Sequence, residues 1–279
     1  MTELLGPAEV RELADRLGVA PTKKLGQNFV IDPNTVRRIV RIAGVAEGDR
    51  VVEVGPGLGS LTLGLLEAGA RVTAVEIDRR LAEELPATVR SQAESEVAER
   101  LQVLHEDALR ITALPDPDRL VANLPYNVSV PVLLHFLESF PTIRTGVVMV
   151  QAEVGERIAA GPGSKVYGSP SVKAAWWGNF RIAGRVGRQV FWPVPNVDSV
   201  LVSFERHGQP LGAEDERARA FALVDAAFGQ RRKMLRQALS GPLGGSEAAS
   251  RILVAAGVDP TQRGERLTAA DFLAITRAL

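Results

Sequence analysis

Two kinds of apolar pattern alternate along the first two thirds of the chain. Short, nearly continuous apolar blocks recur at residues 50–54, 71–77, 101–104, 118–122 and 146–151. Between them, at 34–43, from 61 onward, at 81–98 and at 130–140, Leu, Val and Ile return every three or four positions. Blocks of the first kind read as strands buried on both faces, and the second kind as amphipathic helices. Their alternation predicts an α/β fold with a mainly parallel sheet. A further strand is predicted at 200–204. From 209 on the pattern is purely helical, with helices expected at 217–228, 231–239, 247–256 and 269–279. The stretch with Gly208, Pro210 and Gly212 is the best break between the two regimes. The expected domains are therefore 1–208 and 209–279.

In QRRKMLRQAL, ending at Leu239, a helical period of about 100° per residue places Met234, Leu235, Ala238 and Leu239 on one arc. Arg232, Lys233 and Arg236 fall on the opposite arc, with Arg231 just before them. Such a helix can dock its apolar side and offer cations to phosphates, or carry a merely solvated basic face.

Composition narrows the chemistry. A hydrophobic share of 46% with 24% charged residues is that of a globular protein rather than a disordered one. Cysteine is absent, which excludes disulfides, thiolate metal sites and a cysteine nucleophile. The three histidines, His105, His135 and His207, are widely spaced, so no metal site and no Ser-His-Asp arrangement is expected. The N-terminus lacks a basic start and apolar block, and no apolar run reaches membrane-spanning length. A cytoplasmic protein without membrane contact is expected.

Net charge is zero, which by itself argues against a polyanionic partner. Charge is nevertheless segregated. Residues 51–140 carry a net −7, balanced by +1 in 1–50, +4 in 141–204 and +2 in 205–279. A polyanion could bind the later parts and avoid the acidic one, or the acidic helices could simply be solvated.

The candidate chemistry gathers where predicted strands end. Gly55-Pro56-Gly57-Leu58-Gly59-Ser60 follows the first strand and opens a helix, a turn that lets a ligand approach backbone and helix N–H groups closely. Its spacing is not that of the dinucleotide fingerprint. The second strand ends in Glu76-Ile77-Asp78, where an acid can accept from both hydroxyls of a ribose. The third ends in Glu106-Asp107-Ala108, where a carboxylate suits an adenine amino group. The fourth delivers Asn123-Leu124-Pro125-Tyr126, an amide and an aromatic ring held by a proline. That tetrapeptide fits a clamp for a flat ring bearing an amino group, and equally an ordinary strand-to-helix turn. Gln27 and Asn28 sit in a polar loop that could contact a ligand or serve as a capped connector; Lys165 to Val172 is read as a Gly, Ser and Lys loop. Phe191 and Trp192 precede a Pro-x-Pro segment, as platform or as core.

Together these motifs resemble the ribosomal RNA adenine dimethyltransferases of the KsgA family, which modify small-subunit ribosomal RNA. The resemblance runs from Gly26-Gln27-Asn28-Phe29 through Glu53 to Gly59, Glu76-Ile77-Asp78, Asp107-Ala108 and Asn123 to Tyr126. It continues through Val190 to Pro195, Val197-Asp198-Ser199 and Arg231 to Arg236, nearly the whole chain. It implies a Rossmann-like, seven-stranded S-adenosylmethionine-dependent methyltransferase domain with a small helical domain that binds RNA through Arg231, Arg232, Lys233 and Arg236. Cofactor contacts would fall on Asn28, the backbone at Val30 (where the family usually has Leu), Gly55, Gly57, Gly59, Glu76, Asp107 and Asn123.

The implied reaction transfers methyl groups from S-adenosyl-L-methionine to N6 of two adjacent adenines near the 3′ end of 16S rRNA. The implied partner is the small ribosomal subunit, met by a monomer with no metal and with a role in subunit maturation. Asn123, Leu124, Tyr126 and Phe191 would be the catalytic set. Asn123 and the Leu124 carbonyl would accept from the N6 hydrogens while Tyr126 and Phe191 sandwich the ring. No general base is expected. The readings to be distinguished are a large-subunit (23S) rRNA dimethyltransferase, a DNA adenine methyltransferase, and a mainly non-catalytic ribosome-assembly factor.

Overall fold

The structure is a computed structural model that describes residues 2–19 and 28–279. Gln27, and the two lysines and the glycine of the loop before it, lie outside the described residues. Seven strands form one sheet: β1 Arg50–Val54, β2 Arg71–Glu76, β3 Leu101–His105, β4 Arg119–Asn123, β5 Thr145–Gln151, β6 Gly178–Val186 and β7 Ser199–Arg206. Their order across the sheet is β3-β2-β1-β4-β5-β7-β6. Strands β1 to β5 are parallel, and β7 runs antiparallel to β5 with Thr145 opposite Glu205 and Gln151 opposite Ser199. The sheet agrees with the expected fold class.

Burial explains the sequence pattern. Four of the five residues of β1 and five of the six of β2 are buried, whereas the edge strand β3 has no buried residue. Covered central strands read as continuous apolar runs, and exposed edges do not. That is why β6, with Arg181 and Arg185 exposed on the other edge, carried no strand signal.

Helices pack on the sheet where their ends are written in the sequence. Asp32 caps Pro33–Ala43 by accepting from Thr35 N at 2.9 Å, and Gly44 closes it in the left-handed region at φ 61°. Against it lies Ser60–Glu67, buried at every residue but its last. Gly64 permits that approach, since a Cβ there would stand 2.3 Å from Val36.

The chain divides into two compact units, Met1–Gly155 with Arg181–Glu205, and Glu156–Phe180 with Arg206–Leu279. The second therefore takes in more than the expected residues 209–279. The segment read as a Gly, Ser and Lys loop contains the start of a helix, Ser169–Trp177. Tyr167, Val172 and Trp176 bury themselves with Leu223, Val224, Leu239, Leu253 and Phe272 in this unit's own core. The Tyr167 hydroxyl donates to the Leu267 carbonyl at 2.7 Å. Burial pushes that phenol up to about 12.

The helix expected at 231–239 is not formed as such. Glu214–Gly229 ends, residues 231–233 make a turn, and only Leu235–Ala238 is helical. The reason lies in the backbone donors. Leu235 N donates to Gln262 O at 2.8 Å and Arg236 N to Pro260 O at 3.1 Å, bonds to a distant segment instead of a preceding turn. Leu235, Ala238 and Leu239 are buried as expected, but Met234 is 39% exposed.

Candidate active site

The crossover from β3 to β4 puts the chain on the other side of β1, so β1 and β4 are neighbours whose carboxyl ends diverge into a crevice. In open α/β sheets this switch point is where ligands bind. Here it holds a cavity of about 260 Å³. Asn28, Val30, Gly55, Gly57, Glu76, Asp107, Asn123, Leu124 and Tyr126 all line it. Four strand ends far apart in sequence thus converge.

The glycine turn shapes one wall. Gly55, Gly57 and Gly59 adopt φ of 67°, 59° and 97°, which only glycine takes without strain. A Cβ on Gly57 would lie 2.9 Å from the Phe29 ring, which stacks on Trp192 at 6.4 Å between centroids. Gly59 does not line the cavity; it begins the helix Ser60–Glu67 and lets Leu85 approach.

Glu76 is buried, with one oxygen accepting from Gly57 N at 3.2 Å and the other from Asp78 N at 2.9 Å. Burial raises its pKa, and those N–H groups oppose the rise. The carboxyl thereby locks the glycine turn to the end of β2 while keeping lone pairs for a ligand. Asp107, at the end of β3, is held by Leu109 N at 2.9 Å.

Asn123 is oriented by its own amide. Nδ2 donates to the Asn28 carbonyl at 3.0 Å, and because that carbonyl can only accept, the amide oxygen must point the other way. Oδ1 is buried and has no hydrogen-bond partner. An unsatisfied buried acceptor costs about 1 to 3 kcal/mol, so a site that keeps one is prepared for a donor from outside the chain. Leu124 N donates to Met149 O at 3.1 Å, continuing the ladder one residue past β4 and setting the angle of the Pro125 turn. The Tyr126 hydroxyl is 2.8 Å from Ser199 Oγ, which fixes the half-buried ring, and burial raises the phenol's pKa.

Phe191 is placed elsewhere. It is 1% exposed, opposite Val30 in a two-residue antiparallel ladder that also pairs Phe29 with Trp192, and it packs into the core of its unit. It does not line the cavity.

Several lining residues had no role assigned from sequence. Ile77 and Leu109, directly after the strand-end acids, are 57% and 39% exposed although apolar. Glu53, buried on the cavity floor, bonds Thr62 Oγ1 at 2.6 Å. Burial pushes its carboxyl up to about 8, with nearby Glu76 adding to the rise and Thr62 opposing it. Its place in the Glu-x-Gly-x-Gly run, and that of Ser199 in Val197-Asp198-Ser199, were the available signals.

No histidine lines the cavity. His105, His135 and His207 each direct Nε2 to a backbone carbonyl, of Ile77, Ile111 and Ala175 respectively. Among the described residues no group of three or more His, Asp or Glu is placed to hold a metal, and no helix is long and apolar enough to cross a membrane.

In the second unit the four predicted RNA contacts are not equivalent. Arg231 Nε pairs with Glu265 at 3.0 Å and Nη2 donates to the Lys165 carbonyl at 2.8 Å, tying three segments together. Arg232 and Lys233 are exposed on the turn, and Arg236 is half-buried.

Comparison with known proteins supplies the class. The ribosomal RNA adenine dimethylase family matches residues 20–279. The ribosomal RNA small subunit methyltransferase A of Leifsonia xyli subsp. xyli is 71% identical over 271 residues, covering 97% of this chain and 96% of its own. That of Corynebacterium diphtheriae is 58% identical over 283 residues, covering 99% and 95%. Among solved structures, the 23S rRNA methyltransferase ErmE superposes with a TM-score of 0.66 at 27% identity, covering 90% of this chain and 99% of that one. A dimethyladenosine transferase from Plasmodium falciparum shares the fold with a TM-score of 0.76 at 23% identity, covering 88% and 95%. This chain belongs to the ribosomal RNA adenine dimethylase family.

Proposed function

We propose that this ribosomal RNA adenine dimethylase acts on the small subunit, methylating N6 of two adjacent adenines near the 3′ end of 16S rRNA during subunit maturation in the cytoplasm, as a monomer. The observation that carries the reading of the site is the buried, unpartnered Oδ1 of Asn123 beside the cavity.

The cavity fits S-adenosylmethionine by its donor set. Glu76 keeps acceptor capacity for ribose hydroxyls, and Asp107 accepts from an adenine amino group. Ile77 and Leu109 offer apolar faces for the base between those two acids. Gly55 and Gly57 line the cavity with bare backbone at positive φ, and Asn28 and Val30 contribute further lining. Gly59 contributes through the turn. When bound, the cofactor supplies an electrophilic methyl group on a sulfonium.

The chain's own residues position the nucleophile. An adenine N6 lone pair is delocalised into its ring. Asn123 Oδ1 and the Leu124 carbonyl, both acceptors, draw on its two hydrogens and orient the nitrogen. Tyr126, anchored by Ser199, stacks on the ring. Phe191 acts from behind as support for Val30, and a sandwich of the adenine would require it to leave the core. Holding reacting groups in near-attack geometry can contribute roughly 7 to 11 kcal/mol. The methylated nitrogen is acidic enough to lose its proton to water, so no base is needed, in keeping with three histidines engaged elsewhere. A base read this way has to leave its stack, so a flipped or single-stranded target is required. Arg232, Lys233 and Arg236 meet RNA phosphates, with Arg231 holding the turn that carries them.

The test supplies labelled S-adenosylmethionine with small subunits lacking the modification, with large subunits and with DNA. Two methyls per adenine on small subunits alone are expected; label on large subunits or DNA instead would overturn the assignment.

A further inference from the structure

The basic turn accounts for only part of the charge segregation, because the largest positive excess, +4, lies in residues 141–204. Three of its arginines fall within 178–188, GNFRIAGRVGR, a run without an acid. That run is β6, the last strand of the sheet, with the short turn after it. Arg181, Arg185 and Arg188 are all exposed. At the opposite end of the sheet is β3, around which Glu96, Glu99 and Glu106 are exposed. The sheet thus has one acidic edge and one basic edge.

The basic edge leads to the ring read as the target clamp. Arg181 Nε donates to Ser203 Oγ at 3.1 Å and His207 N to the Trp177 carbonyl at 2.9 Å, so β6 runs antiparallel to β7 and ends where β7 begins. That beginning, Ser199, pairs with the last residue of β5, Gln151, at the carboxyl edge of the sheet. Just past β6, Arg188 Nη1 donates to the Asn196 carbonyl at 3.4 Å, and its Nε lies 3.5 Å from Asp198. The next residue, Ser199, holds the Tyr126 hydroxyl. Both side chains of the Arg188–Asp198 pair are about half exposed, so the pair is weak and leaves guanidinium donors for a phosphate.

A further cation is brought to this edge from a helix. Arg181 and Arg185, four residues apart, share one face of β6. Arg38 of the helix Pro33–Ala43 reaches the strand from the other face: Nη1 donates to the Arg185 carbonyl at 2.9 Å, and Nη2 would stand 2.5 Å from a Cβ on Gly184. Charged side chains do guard an open sheet edge against pairing with another chain. Guarding requires neither a cation beyond the strand nor one supplied by a helix.

Building on the reading of this chain as an adenine dimethylase of small-subunit rRNA, we propose that Arg181, Arg185 and Arg188, with Arg38, form a track along β6 for phosphates of the RNA strand that carries the target adenine. The strand then reaches Tyr126 from the β6 side and keeps clear of the acidic β3 edge. Guanidinium forks suit phosphate oxygens, and the charge asymmetry orients the approach before contact is made.

Salt dependence tests the track on the full chain, by filter binding of 16S rRNA fragments that include the 3′ end. The double variant Arg185→Ala, Arg188→Ala is expected to reduce the slope of log affinity against log salt by about 1.4 to 1.8, the release expected for two phosphate contacts. Arg185→Lys with Arg188→Lys should keep the parent slope, since a cation remains at each place. Arg90→Ala, which removes an exposed cation from the helix Arg79–Gln92 beside β3, should leave it unchanged. Calorimetric binding of S-adenosylhomocysteine, equal in all variants, reports that the fold is intact. An unchanged slope in the alanine pair would overturn the proposal and leave the arginines as guards of the edge. A loss that lysine does not restore would assign them to loop structure, and a comparable loss per charge in Arg90→Ala would assign the effect to overall charge; either overturns the track. Small subunits left unlabelled by the unaltered chain would instead bring down the proposed function, whatever the slopes.

Discussion

The strand-end cavity and the basic turn of the helical unit were read from sequence by the same means, and the structure treats them differently. At the cavity Gly55, Glu76, Asp107 and Asn123 stand at or within two residues of a strand end, so their positions are set by sheet register, and β1, β2, β3 and β4 bring their ends to one edge. At residues 231–236 the reading relied on helical periodicity, and tertiary hydrogen bonds from Leu235 and Arg236 to residues 260–262 replaced the helix by a turn. Position relative to a sheet is therefore the sturdier guide to a site. Periodicity over a short charged stretch yields to any segment that offers the backbone better acceptors.

The comparison is sharpened most by removing the acceptor at its centre. Asn123→Ala is expected to lower methyl transfer by about a thousandfold or more, a part of the positioning effect of roughly 7 to 11 kcal/mol. Binding of S-adenosylhomocysteine should change only a few-fold. Near-normal transfer by this variant would sink the assignment of roles, and comparison of single-turnover rates with calorimetric affinity decides it.

Glu53 gives the same unit a pH dependence that exposed ions in the basic turn cannot. Its carboxyl rises from the ordinary 4.5 to about 8, chiefly by burial. A group whose folded value is raised holds its proton more tightly when folded. Its contribution is fully present below pH 4.5 and is lost as pH rises toward 8, by at most about 1.4 kcal/mol per pH unit. Glu53→Gln, which keeps the shape and cannot ionise, should flatten that slope, so urea denaturation at pH 5 and pH 8 should show the variant gaining on the parent. Parallel slopes would mean that Glu53 ionises without cost.

Glycines sharpen the contrast on a smaller scale. Gly57→Ala combines a φ of 59° with a contact 2.9 Å from Phe29, and should cost about 1 to 3 kcal/mol while loosening the cavity wall. Gly229→Ala, just before the basic turn, meets nothing within 4 Å and should be neutral or slightly stabilising. Thermal melts of the two variants check the pair.

What was legible follows from where each signal lives. Strand β1, the glycine turn, Glu76, Asp107 and the Asn123 to Tyr126 turn are local patterns, and the structure places them together. The wall made by Ile77 and Leu109 was not legible, because an apolar residue after a strand looks like core until its exposure is known. Phe191 was expected at the ring face and lies in the core, since the pairing of Val30 with Phe191 joins segments about 160 residues apart that no local pattern connects. Strand β6 and the helix Ser169–Trp177 escaped for a related reason. One is an exposed arginine-bearing edge, and the other owes its place to burial against helices that follow it in sequence.

The finest distinction is inside the basic turn. Arg231 is committed to Glu265 and the Lys165 carbonyl, whereas Arg232 and Lys233 face solvent. If the turn binds phosphates, Arg232→Ala and Lys233→Ala should each reduce the slope of log affinity against log salt by about one, leaving the melting temperature unchanged. Arg231→Ala should do the reverse, destabilising the unit by about 1 kcal/mol or less, since its ion pair is partly exposed and screened, with little change in salt slope. Filter binding of 16S rRNA fragments across a salt series, beside thermal melts, separates the two behaviours. Equal salt-slope losses for all three variants would add Arg231 to the phosphate contacts of Arg232 and Lys233, and an unchanged slope for Arg232 and Lys233 would remove this turn from the RNA interface.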